Sequence, residues 1–484
     1  MGALDFPSAS VSVNAQASAS GAGNGYIAVI APVHTLDDGV PRLYSSGKAA
    51  LDAHGYSEGI SYAALHAQKT RRPFVIVPIP IATDGVSSAV VATAAPTGTS
   101  VVTLTDNATY GCLSEVDAIL TVVTGGTIGT AGIVLSLSLD GGATSKTIRL
   151  GTANTYVIPD MGVTINFAAG TMVADEYFTW TATGPMWDST GLALARTGLA
   201  ASNYNIRTWI VMGPLSASNA TLVATQAQNY ATSNERFVMA RADTTDLSES
   251  TWALEAAAQN ADYDAVNSTY GRLSLGFGRR RVACPLTKWQ FMRGPSWFAS
   301  LREYRRDRDI HDTTWERKLS PITFATALST DVVHDERVDG GALAGRFTCF
   351  TSLANGSGVY IAKDVTRASD DSPLLLPNNV QVVNAACAIV QAETERIIGG
   401  SVVLNADGTI DANQAVDIEE AVNGALKRGL LQEKVAGRGP RVSSARWTAS
   451  RDDDLTGSGA TMTGALELNL RGVISAVTTE VRVS

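Results

Sequence analysis

The chain has 484 residues, of which 45% are hydrophobic, 17% are charged and 44 are glycine, so several folded units are expected, rich in turns and with extensive surface held against other protein. A net charge of -9 argues against a nucleic-acid binder that neutralises phosphates with clustered Lys and Arg. The N-terminus lacks a basic region followed by an apolar stretch, and no run of about 18 apolar residues occurs, so neither an export signal nor a membrane span is expected.

In chain order, residues 10–20 (SVSVNAQASAS) alternate, with Val11, Val13, Ala15, Ala17 and Ala19 on one face and polar residues on the other. Gly21, Gly23 and Gly25 follow, then the apolar run YIAVIAPV, so residues 1–22 read as a strand arm on a hinge and residues 23–82 as the first part of an α/β core. A helical stretch over 46–68 precedes FVIVPIPI at 74–81, a buried strand whose prolines place it near a sheet edge.

Between residues 83 and 188 the composition shifts. Lys146 and Arg149 are the only basic residues, and runs such as VVTLTD, AILTVVTGG, IVLSLSLDGG and YFTWTATG recur with glycine or Asx turns between them. This spacing predicts an inserted all-β domain, a sandwich or small barrel. From 189 to 375, TWIVMG, RFVMAR and YGRLSLGFG alternate with helical stretches, which predicts a parallel sheet. The run REYRRDRDIHDTTWERK at 302–318 interleaves both charge signs at helical spacing, as a solvated face does.

Residues 376–484 make a small α+β C-terminal domain. Its second helix, over 411–434, begins with Asp411 and Gln414 in capping-box spacing and runs from acidic (Asp417, Glu419, Glu420) to basic (Lys427, Arg428, Lys434), matching its macrodipole. The end of the chain alternates again: Leu466, Leu468 and Leu470 share a face, and a further strand holds Val477, Val481 and Val483.

Chemistry has little support. His34, His54, His66, His311 and His334 include no metal-binding spacing; His334, Asp335 and Glu336 are loop neighbours expected to diverge; and LGFGRRR lacks the third glycine of a dinucleotide loop. Arg279, Arg280 and Arg281 are read as contacts to acidic protein surface or a solvated turn. No cofactor is expected. The cysteines Cys112, Cys284, Cys349 and Cys387 form no CxxC pair and read as free thiols. The competing reading is Cys112 as an inter-subunit disulfide.

The order of strand arm, α/β body interrupted by a β insertion, compact C-terminal unit and terminal strand resembles contractile tail sheath proteins of myophages, whose relatives occur in tailocins and contractile injection systems. The residues that carry the resemblance are SVSVNAQASAS leading into YIAVIAPV, and LELNLRGVISAVTTEVRVS at 466–484. Many sheaths begin with a Pro-Gly-Val-Tyr-like segment where this chain has Phe6-Pro7-Ser8-Ala9, which leaves the subfamily open. The resemblance implies a helical homo-oligomer around a tail tube, capped by baseplate and terminator proteins, with strand arms linking neighbouring subunits. It also implies that the 411–434 helix faces the tube, that the β insertion projects outward, and that the particle works in a virion tail assembled in the bacterial cytoplasm. The alternatives are another assembly protein (a tail tube or surface-layer subunit), or an α/β hydrolase or nucleotide-dependent enzyme with a β accessory domain.

Overall fold

The apolar run YIAVIAP forms the middle of a sheet because all but its first residue are buried, as strands covered on both faces require. The structure, a computed structural model, describes residues 25–92, 97–245, 249–266, 271–304, 324–325, 328, 331, 333–353, 356–397, 402–432, 442–456 and 462–470. The sequence-based readings of 10–20, of 305–318 and of Val477, Val481 and Val483 lie outside the described residues.

Strand β1 (Tyr26–Pro32) is followed by β2 (Arg42–Tyr44), helices α1 (Gly47–His54) and α2 (Glu58–Thr70), and β3 (Phe74–Ile79). The single helical stretch expected over 46–68 is thus two helices. Gly55 ends the first at φ 73°, and Ser57 caps the second by accepting the Ile60 amide at 3.4 Å. Strand β3 lies one place in from the sheet edge, parallel to β1 and antiparallel to β2.

Ten strands then form the β unit: β4 (Val91–Ala92), β5 (Val102–Asp106), β6 (Val116–Thr124), β7 (Gly126–Thr127), β8 (Val134–Ser138), β9 (Lys146–Arg149), β10 (Thr155–Ile158), β11 (Val163–Phe167), β12 (Thr171–Met172) and β13 (Tyr177–Ala182). They pair as a five-stranded sheet β4-β13-β6-β8-β9, a three-stranded sheet β10-β11-β5 and the short pair β12-β7. Alternation along β6, β11 and β13 buries every second residue, and the larger two sheets share one apolar core holding Leu120, Leu135, Ile165, Phe167 and Trp180. Among the described residues no closed barrel forms. The chain enters and leaves the unit side by side, with the Thr83 amide on the Met186 carbonyl (3.0 Å) and the Met186 amide on the Thr83 carbonyl (2.9 Å).

The body resumes with α3 (Ser189–Ala201), β14 (Ile206–Leu215), α4 (Ala217–Thr232), β15 (Met239–Thr244), α5 (Trp252–Tyr263), β16 (Leu273–Phe277), the hairpin β17 (Arg280–Ala283) and β18 (Gln290–Arg293), α6 (Pro295–Glu303), β19 (Thr348–Leu353) and β20 (Gly356–Ile361). Its eight-stranded sheet has the order β2-β3-β1-β14-β15-β16-β19-β20 and is parallel from β3 to β19. The segments before and after the β unit therefore complete one sheet, with β1 between β3 and β14. Apolar cores cover both its faces.

One buried ion cluster interrupts the core. Arg241 on β15, fully buried, grips Asp364 through two 2.8 Å bonds and also donates to Glu303 on α6, while Arg302 reaches Asp364 at 3.1 Å. Two cations and two carboxylates balance, which such a site requires once water is excluded.

The C-terminal unit consists of α7 (Pro377–Thr394), α8 (Ala412–Leu426) continued by one π-helical turn (Lys427–Leu431), and the antiparallel pair β21 (Val442–Ala449) and β22 (Gly464–Leu470). Val382, Ile418, Val422, Leu426 and Trp447 form its core. Helix α7 also leans on the body, where Gln381 donates to Thr208 at 3.1 Å and Asn384 accepts from Arg272 at 2.7 Å.

Candidate assembly surfaces

Helix α8 starts where the sequence places it: Asp411 accepts the amides of Asn413 (2.9 Å) and Gln414 (3.3 Å). The reciprocal half of a capping box is redirected, because Gln414 accepts the Val403 amide while the Asp411 amide donates to the Val403 carbonyl at 2.9 Å. Ala415, Ile418, Val422, Ala425 and Leu426 are buried. Asp417, Glu420, Lys427 and Arg428 are exposed; Asp417 and Glu420 are three residues apart, and Lys427 lies two turns further along with Arg428 beside it, which keeps all four on the solvent side.

Glu419 departs from the expected tube-facing set. Its carboxylate accepts the Ala449 amide and the Arg451 guanidinium, both at 2.9 Å, so it is spent inside the unit. One turn further along, Asn423 accepts the Trp447 amide at 2.7 Å and donates to the Trp447 carbonyl at 2.9 Å. Backbone groups of Trp447 and Ala449 point away from β22, since the Ser450 amide reaches the Thr463 carbonyl at 2.8 Å and alternate residues of an antiparallel strand face opposite ways. Asn423 and Glu419 therefore occupy the outer edge of β21.

The outer edge of β22 is different. Leu466 and Leu468 stand opposite Trp447 and Ala445, so their amides and carbonyls point away from β21. Among the described residues β22 pairs with β21 alone. The side chains of Leu466, Leu468 and Leu470 rest half-buried on the C-terminal cores, and Glu467 and Asn469 face solvent. The expected one-faced alternation is present, and the strand offers an edge with its side chains already anchored.

Cys112 corrects an expectation. It lies fully buried in the β-unit core, its thiol donating to the Ser114 carbonyl at 3.2 Å, and burial pushes the thiol up to about 11. An enclosed, protonated thiol removes the ground for choosing it as a cross-link between subunits.

The β unit is also more firmly seated than an outward-projecting insertion suggests. The β17–β18 hairpin sends Cys284, Trp289 and Phe291 into the β-unit core. Lys146 lies 4.3 Å from the Trp289 ring centre and donates to the Thr287 carbonyl at 3.1 Å. Two of the LGFGRRR arginines make the same joint, Arg279 pairing with Glu115 at 2.7 Å and Arg281 donating to the Asp140 carbonyl at 2.6 Å while holding Asp331, whereas Arg280 stays within the body and donates to the His334 carbonyl at 3.1 Å. The acidic surface they meet belongs to their own chain.

Two groupings have the look of chemistry. His334 and Glu336 do not diverge: His334 Nε2 lies 3.2 Å from Glu336 Oε2, while Asp335 turns to the Ser352 amide at 2.9 Å. The nearby Cys349 is buried, and burial together with the Glu336 carboxylate raises its thiol well above the ordinary range, the reverse of what a nucleophile needs. The second grouping is a cleft at the C-terminal ends of β14, β15 and β16, where an open α/β sheet places ligands. It has a volume of about 30 Å³ and is lined by Glu58, Glu115, Asp243, Arg279 and Arg293. That is room for water rather than for a nucleotide. No helix among the described residues is long and apolar enough to cross a membrane.

No protein-family model matches the chain, and no curated protein matches it. Among solved structures, it aligns with a sheath tail protein from Desulfitobacterium hafniense at 11% identity and a TM-score of 0.44, over 95% of this chain and 100% of that one. It also aligns with a sheath tail protein from Listeria innocua at 11% identity and a TM-score of 0.41, over 93% and 97% of the two chains. Both of these neighbours are sheath tail proteins, and each aligns over more than nine-tenths of this chain.

Proposed function

We propose that the chain is the structural subunit of a contractile tail sheath, polymerising helically around a tail tube and shortening to drive that tube through a cell envelope. The observation that carries the reading is the asymmetry of the C-terminal pair: Asn423 and Glu419 occupy the outer edge of β21, whereas β22 presents Leu466 and Leu468 on an edge with no strand beside it among the described residues. A strand added there gains about 0.5 to 1.5 kcal/mol per backbone hydrogen bond. Residues 10–20 of a neighbouring copy, with Val11, Val13, Ala15 and Ala17 on one face, have the small alternating side chains to thread into that position, and the strand holding Val477, Val481 and Val483 extends the exchange.

In this reading the exposed Asp417, Glu420, Lys427 and Arg428 face the tube, baseplate and terminator proteins close the two ends of the lattice, and no cofactor takes part. Contraction is a rigid-body slide of subunits while the exchanged strands hold them together. Energy is stored when the extended lattice assembles.

Negative-stain electron microscopy of the purified chain at rising concentration, alone and with a tail tube supplied, tests the reading. Hollow striated tubes of uniform diameter are expected. A small monodisperse particle under both conditions overturns it and returns attention to the enzyme alternative.

A further inference from the structure

The water-sized cleft at the ends of β14, β15 and β16 lies where the body meets the β unit, and its charges do not balance. Glu58 at the start of α2, Glu115 from the β unit and Asp243 at the end of β15 share it with Arg279 and Arg293. Two ion pairs cross it: Arg279 to Glu115 at 2.7 Å, joining body to β unit, and Arg293 to Glu58 at 3.4 Å, joining the hairpin to α2. Asp243 is the third carboxylate. Its Oδ1 accepts the Ser296 amide in the first turn of α6 at 3.0 Å, and among the described residues it has no ion pair of its own. Arg241, two residues back on the same face of β15, is already held by Asp364 and Glu303.

The Asp243 carboxyl is also confined. A Cβ at Gly276 would stand 2.0 Å from its Oδ1, and one at Gly294 would stand 2.2 Å from its Cγ, so backbone walls it on two sides. It is partly exposed at the cleft, and the backbone on those two sides leaves it little room to turn away when it ionises. Only its charge can change, and the groups placed to feel that charge are the two arginines and two glutamates of the cleft.

We infer that this cleft is a proton-operated joint, in which a neutral Asp243 leaves Arg279 locked onto Glu115 of the β unit and an ionised Asp243 competes for Arg279 and loosens that lock. Burial, aided by the charge of Glu58, pushes the Asp243 carboxyl up to about 6, against the pull of the Ser296 amide and of Arg279. The proton comes and goes through the cleft water. The joint is a property of the single chain and stands whether or not the chain polymerises.

Amide hydrogen exchange on the full chain between pH 5 and 7.5, corrected for intrinsic rates, tests it. Protection across the β17–β18 hairpin and around Glu115 is expected to fall by about tenfold as pH rises, with a midpoint near 6. Asp243→Asn, which keeps a side-chain oxygen for the Ser296 amide, is expected to hold the pH 5 level throughout. Glu115→Gln, which removes the locked partner, is expected to show the lower level at every pH. Flat protection in the unaltered chain, or Asp243→Asn and Glu115→Gln variants that titrate as it does, overturns the inference.

Discussion

Asn423 holds both the amide and the carbonyl of Trp447, at 2.7 and 2.9 Å, and so acts as one rung of a strand alongside β21. A helix side chain thereby closes one edge of a two-stranded sheet, while the β22 edge has no strand beside it among the described residues. Natural sheets suppress unwanted pairing by covering an edge in this way.

Asn423→Ala should leave two buried backbone groups unpaired and cost about 1 to 3 kcal/mol, read as a fall in the thermal midpoint of the C-terminal unit. With its second edge open, the variant should also form irregular aggregates at concentrations where the unaltered chain forms none. A midpoint unchanged within a degree, with no new aggregation, argues against edge closure by Asn423.

Adjacent prolines on β22 separate edge function from folding. The Leu468 amide points away from β21, so Leu468→Pro removes an assembly donor and should keep a folded monomer that makes no tubes. Glu467 faces the other way, and Glu467→Pro should break its bond to β21 and melt the hairpin. Circular dichroism and microscopy on both variants read the two effects. Tubes from Leu468→Pro would exclude strand addition at this edge.

Excising residues 83–187 with a short linker should not leave a sound body, because Tyr56, Cys284, Trp289 and Phe291 would lose the core they share with the β unit. Each aromatic forfeits about 1.5 to 3 kcal/mol of burial. The excised chain is expected to bind a hydrophobic dye and melt early, and polar replacement of Trp289 and Phe291 should relieve much of that dye binding. A cooperative melt at the unaltered temperature would show that the unit is merely appended.

His66 sets an acid limit. It sits among the rings of Tyr62, Phe74 and Tyr304, its ring nitrogens lack hydrogen-bond partners among the described residues, and burial drops it to about 3. A folded value below the unfolded one of 6.5 means that the neutral ring's contribution is complete above about pH 6.5 and is lost as pH falls toward 3. Several kcal/mol are at stake, on the order of 1.4 per pH unit. His66→Phe should be at least as stable at pH 7 and should lose less between pH 6.5 and 4.5. An identical acid profile for both chains would locate the acid limit elsewhere.

How much of the fold and of the assembly surface was legible in the sequence depends on the range of the interaction. The Asp411 cap, the apolar face of α8, the continuous burial of β1 and the alternation of β6 and β13 are local, and periodicity reports them directly. The split at Gly55 between α1 and α2 was also local, a turn glycine inside a stretch read as one helix.

What periodicity cannot report is which surface a face meets. Glu419 was read with the tube-facing charges of its helix and Asn423 drew no reading, yet they bind a strand 30 and 24 residues away. Cys112 was singled out because its segment was expected to project outward, and the tertiary core encloses it. Trp289 and Phe291, far along the chain from the β unit, complete that unit's core, and Asp243 acquires its environment from α2, α6 and the β unit together. The sequence by itself determined the elements, their buried faces and the interruption of the body by a β unit, because backbone conformation and amphipathicity are set by residues a few positions apart. Only the tertiary structure decided which strand edge stays open, which thiol is shut in and which carboxylate lacks a cation, because each depends on contacts between segments that sequence order leaves far apart.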